Sequence, residues 1–199
     1  MLSSIHPFGE RSRNNTFRRT ASAHVLGSLV GGSLLGLGAG LLGLVVELVF
    51  DLSSTTRTII IVVFSIFALG IEATSRERLL PSRTRQVNEN WIQTYRGWVY
   101  GGGFGAELGF GISTIITTPL VHLLVLAMVL SGSLSASVAL GAVFGFVRGA
   151  TVLTAHNVDS PEALRAFHQH LDALRARSRS GAVGSLALAS IIGLTAVLT

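Results

Sequence analysis

The sequence has no cysteine and no lysine, and charge of either sign is scarce. Only 13% of its 199 residues are charged, about half the ~25% usual for a soluble globular domain. The missing cysteines exclude disulfides, thiol redox chemistry and thiolate-bound metals. The missing lysines make all 15 basic residues arginine. No polar interval is long enough to bury a core of its own, so a second, soluble domain is not expected. Catalytic signatures are missing too: there is no GxSxG and no HExxH. The glycine-rich GGGFGAELG at 101–109 has neither a strand before it nor a ribose-binding acid after it, which argues against a dinucleotide loop. His168 and His170, two apart on a helix, do not face each other as a ligand pair should. No enzymatic activity, cofactor or metal is expected.

What is present is apolar. Hydrophobic residues make up 49% of the chain and the mean hydropathy is +0.60. Uncharged runs of membrane-crossing length recur along it. The net charge of +5 is explained by where the arginines fall. They concentrate at 1–23, 74–96 and 155–180, between the apolar runs, which is the positive-inside pattern of a membrane protein. Nucleic acid is therefore not an expected partner; the lipid bilayer is.

The expected fold is an all-α polytopic transmembrane bundle. Residues 1–23 read as a basic cytoplasmic tail, and 24–199 as a single transmembrane domain. Apolar segments run over about 24–50, 58–73, 97–130, 134–154 and 181–198. Ser160-Pro161-Glu162 is a helix start, and Leu164, Phe167, Leu171 and Leu174 share one face. Residues of about 160–177 are expected as an interfacial amphipathic helix. Glu72 is expected in the interface. The segment at 97–130 is too long for one straight helix, and Thr117-Thr118-Pro119 should break it, because proline removes a backbone donor and clashes with the preceding turn. If it crosses once, the chain makes five crossings and all three basic intervals share one side. If it crosses twice there are six. Five agrees better with the charge bias.

Glycine supplies the second pattern. Gly101, Gly105 and Gly109 recur every four residues, as do Gly141, Gly145 and Gly149, and the first segment carries a similar series from Gly27 to Gly43. Small residues at this spacing form a helix face that lets backbones approach closely in lipid. These glycines are expected to pack helices within the chain, or against a second copy or a membrane partner subunit.

Polar groups at membrane depth mark the candidate site. Glu107 lies about nine residues past Trp98, ~13 Å deep at ~1.5 Å per residue, and Arg148 is expected at a similar level. They form either a functional polar pocket or a structural ion pair that fixes helix register. His122, just past Pro119, is either a proton relay or the partner of a carbonyl freed by the break. Thr117 and Thr118 add hydroxyls.

Residues 101–153, with GFGAELGFG, the Thr118-Pro119 break, a serine-glycine turn and ALGAVFGFVRG, resemble half of a CcdA/DsbD-type thiol–disulfide electron transporter, or more loosely an exporter-like membrane scaffold. That family carries a redox cysteine beside the proline, where this chain has Thr118. The resemblance implies a broken-helix membrane scaffold without thiol chemistry. Together these features point to a small inner-membrane protein with a cytoplasmic N-terminus. It either moves a small solute or protons near the broken helix, or serves as a non-transporting scaffold or accessory subunit.

Overall fold

In the computed structural model, residues 5–74, 90–111 and 118–198 are described. They form helices α1 (Pro7–Ser12), α2 (Phe17–Phe50), α3 (Ser54–Ala73), α4 (Asn90–Thr94), α5 (Gly97–Phe110), α6 (Leu120–Leu130), α7 (Leu134–Ala150) and α8 (Pro161–Leu198), with a 3-10 turn at Thr151–Ala155. There is no strand among the described residues. Four helices are long and apolar enough to cross a membrane: α2, α3, α7 with its 3-10 extension, and α8. Leu26, Val30, Leu48, Val63, Phe67, Val147 and Ile191 are exposed on their outer faces, as suits helices whose surroundings are lipid rather than water.

α2 is the mast of the bundle, and its glycines explain why. Consecutive residues on a helix point about 100° apart, so Gly31 and Gly32 open two different faces. On one, a Cβ at Gly27 or Gly31 would collide with the carbonyl of Gly102 or Ala106 on α5. On the other, a Cβ at Gly32 or Gly36 would collide with the carbonyl of Gly141 or Ser137 on α7. The partners return the arrangement. Gly105 and Gly109 sit on the carbonyls of His24 and Ser28, and Gly141 and Gly145 on those of Gly32 and Ser28. Gly101 lies on the carbonyl of Thr20, and Gly149 against the Ser28 side chain. Ser28 is fully buried where α2, α5 and α7 meet, and its hydroxyl donates to the Gly145 carbonyl at 2.7 Å. Backbone meets backbone at most of these contacts, which brings the helix axes close and increases dispersion contact per residue.

The segment expected as one kinked crossing is two short helices. Gly111, at φ +68°, ends α5, a conformation glycine adopts without a Cβ penalty. Pro119 opens α6. α5 has 14 residues and α6 has 11, each below the ~20 needed to span a bilayer core. Both run in the same direction as α2: Gly101 lies by Thr20, Gly109 by Ser28, and Val129 by Gly43. α7 returns antiparallel, with Ser137 by Gly36 and Gly149 by Ser28. α5 and α6 are thus successive halves of one path along α2.

α3 and α8 form an antiparallel pair beside this trio. Ser65 and Ser190 hydrogen-bond at 2.9 Å. Ala68, Leu186 and Leu123 of α6 make a small apolar cluster. The interfacial helix expected near 160–177 and the last crossing are not separate: α8 is continuous over 38 residues, about 57 Å at ~1.5 Å per residue. Nothing in the sequence stops it. Between Pro161 and Gly181 there is no further proline or glycine, and the change from amphipathic to apolar composition does not interrupt backbone hydrogen bonding.

From residue 5 onward, the stretch expected as a cytoplasmic tail is helical and packed on the bundle. Pro7 occupies the first turn of α1, His6 caps it by accepting the Gly9 N–H on Nδ1 at 3.1 Å, and α2 begins at Phe17 rather than His24. Ile5 is fully buried with Ala21, Tyr100, Phe104 and Val152. The Phe8 N–H donates to the Val158 carbonyl at 3.0 Å. This segment folds over one end of the trio.

Candidate functional site

Two polar clusters stand out in an otherwise apolar molecule. The first lies where the α5–α6 path is interrupted. Pro119 is fully buried. The Thr118 hydroxyl, half-buried beside it, accepts the Leu120 N–H at 3.3 Å and donates to the Glu72 carboxylate at 2.9 Å. Glu72, in the last turn of α3, is only 3% exposed. Its carboxylate is enclosed by the bundle rather than presented on the outer surface. Arg179 of α8 donates to the Glu72 carbonyl at 2.7 Å, placing a cation on the carbonyl end of α3, where the helix dipole favours positive charge. Three elements far apart in sequence therefore meet at this residue, Thr118 at its carboxylate and Arg179 at its backbone carbonyl. The chain of donors, amide to hydroxyl to carboxylate, gives one of its oxygens a partner in a low-dielectric setting where an unsatisfied acid is costly.

The residues singled out from the sequence surround the same interruption. Arg148, in the last turn of α7, lies with its guanidinium 5.3 Å from the centroid of the Phe144 ring, and both side chains press on Gly111. The cation thus sits by the C-terminal end of α5, where the helix dipole favours positive charge. Glu107 is half-buried one turn before that end, and His122 is half-buried in the first turn of α6. Elsewhere in the molecule Glu10 pairs with Arg13 and Glu47 with Arg57. Thr117 lies outside the described residues, as does most of the basic interval expected at 74–96.

The second cluster sits at the end covered by α1. Glu10 has no exposed surface. It accepts from Arg13 Nη1 at 2.9 Å, from the Thr20 hydroxyl at 2.7 Å and from the Tyr100 hydroxyl. Arg13 also donates to the Tyr100 oxygen at 3.1 Å. Burial within the α1 cap and the nearby Arg13 guanidinium hold the His6 imidazole below its usual pKa, in keeping with the unprotonated Nδ1 its cap bond requires. Below this layer, buried His24 donates from Nδ1 to the Gly101 carbonyl at 3.3 Å, since a carbonyl can only accept.

Neither carboxylate was singled out from the sequence. Glu10 was visible only as the one acid among the four arginines of residues 1–23, and Glu72 only as an acid closing an apolar run. No protein-family model, characterised protein or solved structure matches this chain.

Proposed function

We propose that this is a multi-pass membrane protein of transporter-like type, which moves protons or a small polar solute past the interruption between α5 and α6. The observation that carries the reading is Glu72. An acid buried in an apolar bundle is costly and calls for a role, and this one lies against a broken helix, the kind of element from which transporters build their sites. Thr118 is its hydrogen-bond partner, and Arg148, Glu107 and His122 are the further polar groups around the break. On this reading α5 and α6 together make one interrupted crossing, giving five in all. The N-terminus and the arginine-rich ends face the cytoplasm across the inner membrane. The chain performs no covalent chemistry.

The test is proton and solute flux in vesicles reconstituted with the purified chain. Wild-type protein should dissipate an imposed pH gradient or release a loaded solute, and Glu72→Gln should fall to the rate of empty vesicles while remaining folded. Wild-type vesicles as tight as empty ones for every solute tried, or an E72Q variant as active as wild type, would overturn it.

A second reading is favoured by a different observation. The carbonyl-on-glycine contacts of α2, α5 and α7 leave no slack for helix movement, which suits a static scaffold or accessory subunit better than a carrier. That reading expects no flux, together with co-purification of a second copy or one stoichiometric membrane partner.

A further inference from the structure

We infer that the cleft between the α1–α2 turn and the start of α5 binds the phosphate of an anionic phospholipid headgroup. The inference rests on the membrane reading of the helices but not on transport. The cleft encloses about 180 Å³, the liquid volume of about six water molecules, enough for a phosphodiester group. Arg19 of α2, Arg96 before α5, Asn14, Thr16 and Trp98 contribute to its walls, and no carboxylate lines it among the described residues.

Three features select this ligand. First, the charge is available. Arg19 and Arg96 are exposed, and neither guanidinium has a hydrogen-bond or ion-pair partner among the described residues. The acid nearest in sequence, Glu10, is buried and occupied by Arg13, Thr20 and Tyr100, so it leaves the cleft strongly positive. Exposed Arg11 and Arg18 on the same stretch add to that field. Second, the chemistry matches. Guanidinium forks are shaped for phosphate oxygens, and the Asn14 and Thr16 side chains offer further donors. Third, the place is right. Trp98 is 60% exposed on the cleft wall and Tyr95 beside it is 50% exposed, the aromatic pattern of the headgroup level. About two and three helix turns along α2 from Arg19, Leu26 and Val30 are exposed and apolar, suited to acyl chains. Arginines alone would serve a dissolved anion equally well; the exposed tryptophan among them favours the lipid.

The experiment uses the full chain in a neutral detergent, titrated with short-chain phosphatidylglycerol, with short-chain phosphatidylcholine and with inorganic phosphate. Binding is read from Trp98 fluorescence in a Trp91→Phe background and from lipid retained in native mass spectrometry. Phosphatidylglycerol should bind saturably, and far more tightly than either comparison probe. The double variant Arg19→Gln/Arg96→Gln should weaken it by about tenfold or more, as expected for loss of charge-assisted phosphate contacts, and Arg19→Lys/Arg96→Lys should restore part of the affinity. If the double variant does not fold, the single variants and the wild-type comparison of probes decide. Equal affinity for phosphatidylcholine, competition by inorganic phosphate at similar concentration, or undiminished binding to the glutamine variants would each overturn the assignment.

Discussion

The trio of α2, α5 and α7 and the pair of α3 and α8 are both built from apolar helices containing glycine, yet they are held together differently. In the trio, Gly27, Gly31, Gly32, Gly36, Gly105, Gly109, Gly141 and Gly145 lie on carbonyls, so each of these contacts is between two parts that cannot rotate away. In the pair, Gly193 faces a Val62 methyl, Gly181 and Gly184 of α8 face open space, and a serine pair provides the polar link. The same residue type is a structural necessity in one region and nearly idle in the other. What decides is whether the neighbouring atom is backbone, which stays, or side chain, which yields.

The largest effect should come from placing one methyl in each region. Gly145→Ala inserts a Cβ against the Ser28 carbonyl and should cost about 3 kcal/mol or more by overpacking, seen as a large loss of thermal stability in detergent. Gly184→Ala has nothing near it and should be neutral, or stabilising by up to ~1 kcal/mol through helix propensity. Similar losses from both would erase the distinction between the two regions.

A smaller effect is expected where α1 closes the trio. His6 has a folded-state pKa below its ordinary 6.5, so the unfolded or undocked form binds the proton more readily. Docking of α1 is therefore at full strength above about pH 6.5 and weakens as the pH falls through that value. The protection of the Gly9 and Glu10 amides, taken relative to their intrinsic base-catalysed exchange rates at each pH, should fall at pH 5.5 relative to pH 7.5, while the protection of amides in the α3–α8 pair stays unchanged. His6→Asn, which keeps a capping acceptor without the titration, should remove the difference.

The smallest effect belongs to the pair. Ser65→Ala removes the bond to Ser190, but Ser190 still donates to the Leu186 carbonyl at 2.8 Å, so no donor is stranded. A loss of about 0.6 kcal/mol is expected, typical of interhelical hydrogen bonds in membranes. A loss as large as that from Gly145→Ala would show that the pair, too, depends on a contact that cannot adjust.

These contrasts also explain what could be read in advance. Helical class and membrane-length apolar runs are properties of local composition, and they were legible. Fourfold glycine spacing marks a face, but not whether that face meets backbone or side chain: within one series Gly145 lies on the Ser28 carbonyl and Gly149 on the Ser28 side chain. The buried acids were hidden because their partners are remote. Tyr100 lies 90 residues from Glu10, Thr118 lies 46 from Glu72, and Arg179 lies 107 from it. Continuity of α8 was obscured for the opposite reason: a strong change in polarity suggests a boundary, whereas a helix ends only where its backbone bonding is interrupted.

The placement of α2 bears on how the protein is made. Its two glycine faces supply the carbonyl surfaces on which α5 and α7 rest, and it precedes both in the chain. Synthesis proceeds from the N-terminus, so α2 reaches the bilayer before either partner has been translated. α5, too short to cross on its own, emerges when a fitted surface already awaits it. A defect in α2 should therefore show first as failure of the later helices to insert, with the nascent chain cleared by proteolysis, rather than as a finished protein lacking activity.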